Sequence, residues 1–136
     1  MYHVLLGVDD DGEMAERVAG TVANLPGGAD EVTVSVFHAF TDNPAGASAA
    51  QVAGVRRARE RLEEAGIETT ILEGSGDPAE ALLEAADDHD ADLIVIGGRR
   101  RSPAGKALFG SVAQAVILNA ERPVLVGGRS SPEGDA

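Results

Sequence analysis

Leu93–Ala120 reads LIVIGGRRRSPAGKALFGSVAQAVILNA, and the order of its parts decides the fold. An apolar, β-branched run (Leu93–Ile96) reaches paired glycines (Gly97, Gly98), a basic loop follows, and Gly110-Ser111 opens an apolar helical pattern. Strand, glycine turn and helix in that order are the repeating parts of a parallel sheet covered by helices. The stretch holds none of the 23 acidic residues, yet it holds Arg99, Arg100, Arg101 and Lys106, four of the 11 Lys and Arg in a chain of formal net charge −12. Glycines let the main chain approach a ligand, and a helix N-terminus offers unpaired N–H groups. With cations beside them they make a cradle for an anion, which predicts a nucleotide or phosphate ligand.

The alternation of strands and helices runs outward in both directions. Tyr2–Val8 (YHVLLGV) reads as a buried first strand, and Val18, Val22 and Leu25 recur at helical spacing within Met14–Leu25 until Pro26-Gly27-Gly28 stops the helix. Val32–Phe37 (VTVSVF) is a second, β-branched strand. After the loop-like Thr41–Ser48, a long helix carries Val52, Val55, Ala58, Leu62 and Ala65 on one stripe, with Gly66 as its expected C-terminal cap. Ile67–Leu72 is a third strand, and Asp77 is placed to cap the next helix, with Pro78 its first residue and Glu80 completing a capping box. Leu93–Ile96, Ser111–Asn119 and Pro123–Val126 supply the fourth strand, fourth helix and fifth strand.

Five strands and four helices in strict alternation predict an α/β three-layer sandwich over residues 1–128, with Arg129–Ala136 as a flexible polar tail. In a five-stranded parallel sheet of order 3-2-1-4-5 the strand order reverses between the first and fourth strands, and ligands bind beyond the carboxyl ends there. Asp9-Asp10-Asp11 and Gly97-Gly98 are therefore expected to be neighbours in space.

Composition sets the outer bounds. With 136 residues, 43% hydrophobic but only 3% aromatic, the chain has enough Val, Leu, Ile and Ala for the core of one domain. The absence of Cys excludes disulfides and thiolate metal sites, and no stretch reads as a signal peptide or membrane span, so a cytoplasmic location is the expectation. Lys106 is the only lysine, and the dense carboxylate surface suits a halophilic, salt-rich cytoplasm, where the screening length falls to about 3 Å. So acidic a surface argues against nucleic acid and against anionic membranes as partners.

Gly97-x2-Arg100-x9-Gly110-Ser111 closely resembles the nucleotide motif of the universal stress protein family, G-x2-G-x9-G-[S/T], with its overall spacing kept. Asp9 at the end of the first strand, His38 at the end of the second, the Gly76-Asp77-Pro78 turn and the closing Arg122–Val126 (RPVLV) stand where that family has them, so the resemblance covers all but the tail. It implies a Rossmann-like fold of the adenine nucleotide alpha hydrolase type and an ATP- or AMP-binding stress-response protein. It also implies Mg2+ arriving with a triphosphate, and a homodimer formed through the fifth strand. Residue by residue, Val8 and Asp9 would meet the nucleoside, Ala39 the adenine, and Ile96 and Gly97 the base and ribose, with Gly98 a further member of the nucleotide site. Gly110, Ser111 and Val112 would meet the phosphates, and Pro123, Val124, Leu125 and Val126 the second copy.

Two positions depart from the family pattern. Arg100 replaces the second motif glycine, where it either obstructs the phosphates or supplies a guanidinium to hold them, and Asp11 replaces a small polar residue near the pocket. Both belong to the candidate nucleotide site, and both motivate an alternative: a dimeric interaction module of the same family without nucleotide. Ser111 is open to two roles, helix cap and phosphate contact. Clustered carboxylates at Asp9–Asp11 suit Mg2+ or Ca2+, but their spacing is not that of a calcium loop, and Glu73-Gly74 ends the third strand where a phosphorylated receiver domain needs Asp. No catalytic constellation emerges: His3, His38 and His89 lack partners at a recognisable spacing, and hydrolysis of bound ATP is expected to be slow and incidental. An enzyme acting on a phosphorylated small molecule is a further class that the fold permits. The sequence points to a downstream protein partner without identifying it.

Overall fold

A computed structural model describes residues 1–41, 46, 48–101, 104 and 107–128, with the main chain alone at 99–101, 107, 108 and 128. The Arg129–Ala136 tail, Lys106 and most of the Thr41–Ser48 loop lie outside the described residues. The elements run β1 (Tyr2–Gly7), α1 (Gly12–Ala23), α2 (Gly28–Glu31), β2 (Val32–Phe40), a 3-10 turn (Ala49–Gln51) and α3 (Ala53–Glu64). They continue through β3 (Glu68–Ser75), α4 (Pro78–Asp88), β4 (Leu93–Arg101), β5 (Ala107–Phe109), α5 (Ser111–Asn119) and β6 (Val124–Gly128).

Five of the strands pair in parallel, in the spatial order β3-β2-β1-β4-β6, which is the 3-2-1-4-5 sheet expected, with β6 as its fifth member. Period-two alternation feeds two cores. Val4 and Leu6 of β1 join Val34, Val36 and Val95 under α1 and α3, whereas Leu5 joins Phe37, Ile94 and Ile96 under α4 and α5. The described residues contain no helix long and apolar enough to cross a membrane.

Caps fix the helix ends. Asp77 accepts from the Glu80 N–H at 3.0 Å, with Pro78 at the start of α4. At the end of α3, Gly66 adopts φ +78°, with the Ile67 N–H bonded to Leu62 O at 3.1 Å and the Gly66 N–H to Glu63 O at 2.9 Å. That is a Schellman closure. The end of α4 repeats it with Asp90, at φ +51°, in the place of glycine, as the Ala91 N–H bonds Ala86 O at 3.0 Å.

The largest departure from expectation is in β4. The Leu93–Ile96 strand continues through the glycines to Arg101, so Arg99–Arg101 lie in a strand rather than in a loop. The cause is tertiary: β1 ends where Gly7 faces Ile96, and β4 runs on past it and pairs antiparallel with β5, Arg99 facing Phe109 and Arg101 facing Ala107. Arg99 also faces Gly128 of β6. Since a strand has two edges, β5 takes the edge that β1 vacates. A register shift between Ile96 and Arg99, with Gly98 at φ +116°, accommodates the change of partner. α2 is a further addition, a single turn begun by Gly27 and Gly28 at positive φ.

Asp90 is a non-glycine residue held in the left-handed region, which costs about 1 kcal/mol. Asp90→Gly is therefore expected to stabilise the fold by about that amount, read as a higher urea midpoint with an unchanged slope.

Candidate functional site

The β4–β5 hairpin brings the start of α5 over the carboxyl end of β1. A cleft of 340 Å³ opens there, between the ends of β1 and β4, the first turns of α1 and α5, and the N-terminal half of α4. This is the switch point of the sheet.

The floor is tightly packed main chain. A Cβ on Gly7 would lie 3.2 Å from both Leu82 methyls and 3.3 Å from Ile96 Cγ2. The Val8 N–H bonds Phe37 O at 2.9 Å, and Val8 O accepts a hydrogen bond from His38 Nδ1 at 3.0 Å. Because a carbonyl only accepts, Nδ1 carries the proton, and Nε2 faces the Asp10 carboxylate at 4.0 Å. His38 is buried, edge-on to Phe40.

The acidic triplet forms a set of turns and caps. Asp9 Oδ1 accepts from the Asp11 N–H at 2.8 Å, an Asx turn, and Asp11 Oδ1 accepts from the Met14 N–H at 3.1 Å as the N-cap of α1. Asp10 is exposed. Among the described residues no cluster of three or more His, Asp or Glu is arranged to hold a metal ion.

The opposite wall is the start of α5. Its N-cap is Gly110, at φ −67° and ψ 165°, and no side chain among the described residues caps the helix. Ser111 is thus its first helical residue, exposed, and its hydroxyl is not used as a cap. The N–H groups of Ser111, Val112 and Ala113 precede the first intrahelical bond, Gln114 N–H to Gly110 O at 2.9 Å, so they open toward the cleft. A Cβ on Gly110 would meet nothing within 4 Å, which leaves the approach to these donors open.

Of the residues singled out in the sequence, Val8, Asp9, Asp11, Ala39, Ile96, Gly97, Gly98, Gly110, Ser111 and Val112 all line this cleft. The main chain of Arg100 is in β4, facing Leu108, and its side chain lies outside the described residues. The paired glycines at the end of the apolar run serve different ends. Gly97 is required by packing, because a Cβ there would come within 2.8 Å of Met14 Cγ, while Gly98 is required by its positive φ. His3 lies away from the cleft near the start of β1, its Nε2 2.8 Å from Ser35 Oγ and its Nδ1 donating to His89 O at 3.1 Å.

Sequence reasoning missed Met14, Ala15 and Val18 of α1 and Pro78 and Leu82 of α4. Met14, Ala15, Val18 and Leu82 sit on apolar helical stripes, where nothing in the pattern separates a core position from a cleft wall, and Pro78 reads in the sequence only as the start of α4.

A family model described as the universal stress protein family matches residues 1–127. The chain belongs to the universal stress protein family. A Thermus aquaticus member is 34% identical over 137 residues, spanning 93% of this chain and 98% of its own. A Mycolicibacterium smegmatis member is 48% identical over 65 residues, which is half of its own length. Among solved structures, a universal stress protein in complex with cAMP is 28% identical with a TM-score of 0.70, covering 93% of this chain and 95% of that one. The Archaeoglobus fulgidus universal stress protein in complex with dAMP is 28% identical with a TM-score of 0.65, covering 93% and 97%.

Since the Asp11 side chain caps α1, Asp11→Ala is expected to lower stability by about 1 kcal/mol, while the Asp11 N–H still holds the Asp9 turn. Asp11→Ser, which keeps a capping oxygen, should lose less. Urea denaturation of the two variants side by side measures the difference.

Proposed function

We propose that this universal stress protein binds an adenine nucleotide, ATP or AMP, in the switch-point cleft, and that it works in the cytoplasm as a homodimer. The observation that carries the reading is the uncapped start of α5. Three main-chain donors and the Ser111 hydroxyl, positioned for an anion, face a cleft whose other walls are mostly apolar, with Asp9, Asp11 and His38 at the ends of β1 and β2. Val8, Ala39, Leu82 and Ile96 offer apolar surface to a base, and the Asp9 carboxylate in the same cleft is an acceptor suited to ribose hydroxyls. The two relatives solved with cAMP and dAMP support an adenine ligand. Mg2+ would enter with a triphosphate, held mainly by its oxygens.

In molar salt long-range attraction is screened within about 3 Å, so the binding energy comes from short hydrogen bonds. Titration of Mg-ATP and AMP into the protein in molar KCl should give a measurable heat of binding. Ser111→Ala should weaken binding roughly tenfold, the value of one hydrogen bond to a charged group. No heat at millimolar nucleotide overturns the reading. It leaves the interaction module, which Arg100 at the second motif glycine favours.

The dimer is supported by the contrast between the two edges of the sheet. β3 exposes Glu68 and Glu73, which guard it, whereas Val124–Gly128 of β6 carries no charge. Beside β6, α5 has no charged residue and leaves Ile117 40% and Leu118 78% exposed. Isologous pairing through Pro123–Val126 covers this face. Light scattering is expected to give twice the 13.9 kDa chain mass, and Val124→Lys, which sets like charges across the two-fold, to give the monomer.

A further inference from the structure

We infer that Gly54, in the first turn of α3, is a positioning residue for Asp9 and sets where the Asp9–Gly12 loop stands at the mouth of the cleft. Its link to ligand affinity rests on the nucleotide reading above; its link to the loop does not.

Gly54 is buried, and a Cβ on it would stand 1.9 Å from the main-chain oxygen of Asp9 and 3.1 Å from its carbonyl carbon. Real Cβ atoms essentially never come within 3.0 Å of another heavy atom. The clash is with main chain, which cannot swing aside as a side-chain tip does. Helix geometry does not call for glycine here, since Gly54 is absent from the positive-φ residues and glycine weakens a helix interior. The missing side chain is therefore explained by the carbonyl that fills its place, with the α-hydrogen of Gly54 directed at Asp9 O.

What that carbonyl position controls follows from the bonds already described. Asp9 Oδ1 holds the Asp11 N–H, Asp11 Oδ1 holds the Met14 N–H, and Met14 lies against Gly97 on the cleft floor. A displacement of Asp9 thus reaches the start of α1 and the wall opposite α5. The same helix touches the far end of the loop as well. Arg57, one turn beyond Gly54, lies 3.2 to 3.4 Å from where a Cβ on Gly12 would stand, and its guanidinium pairs with Glu16 of α1. α3 is the template on which the loop rests, with one contact at Asp9 and one at Gly12.

The test uses Gly54→Ala in the full chain. Alanine is the better helix former, so a role confined to α3, with the contact relieved by a shift of that helix alone, predicts an unaltered site. Positioning predicts that Asp9 retreats by about 1 Å and that AMP and ATP affinity falls roughly tenfold or more. It also predicts that, with no nucleotide present, the Asp11 and Met14 amide resonances move and exchange faster while those of β3 hold. Unchanged Asp11 and Met14 amides overturn the inference. This readout needs no ligand, so a wild-type protein that fails to bind nucleotide defeats the nucleotide reading alone. If Gly54→Ala does not fold, Arg57→Ala decides, since it removes the second support without adding an atom. Faster exchange at the same two amides is expected, and wild-type exchange overturns the inference.

Discussion

The site depends on β1 being shorter than β4. β1 stops where Gly7 faces Ile96, and β4 continues through Gly97 and Gly98 to Arg101. Those extra residues would be an open edge with unpaired N–H and C=O groups, a liability for any sheet. The chain closes the edge by doubling back as β5, and the hairpin ends with the Gly110 N–H bonded to Gly98 O at 3.3 Å. That return places the uncapped start of α5 above the end of β1. Equal lengths for the two strands would have sent α5 off from the sheet beside its own strand and left the Asp9 loop without an opposing wall.

The main chain of the basic stretch has a larger part in this arrangement than the composition suggests. Four cations in an acid-free stretch look like an electrostatic lure, yet Arg99–Arg101 take up strand positions whose main-chain bonds build the hairpin. Among the described residues, the donors that face the cleft are neutral N–H groups and a hydroxyl. Such donors act over a hydrogen-bond length, and salt at that range changes little. The acidic triplet follows the same logic: Asp9 and Asp11 spend carboxylate oxygens on the Asp11 and Met14 N–H groups, which fixes a loop.

Most of the fold was legible because it rests on local signals. The β-branched runs gave four strand cores, Asp77-Pro78 gave the start of α4, and Gly66 gave the end of α3. The strand ends were not legible, because pairing across the sheet decides them. β2 extends to Phe40 and β3 to Ser75 only through each other, and β4 reaches Arg101 only through β5. The site divides along the same line. Ten residues of the cleft could be named because the resemblance to the family carried them over position by position. Met14 and Leu82 could not, since their sequence pattern is that of core positions.

Gly54 belongs to neither group. In the sequence it is one more small residue at the start of an amphipathic helix, and no periodicity distinguishes it from Ala53. Its meaning appears only once the Asp9 carbonyl is placed beside it. The constraint is then mutual: α3 cannot gain a Cβ at this turn, and the β1–α1 loop cannot sink deeper than the α-hydrogen allows. Motif residues such as Asp9 state which atoms face a ligand, while the distance at which they stand is set by a residue that carries no functional group at all. Family patterns built on reactive side chains will pass over such positions, since what they contribute is the absence of an atom.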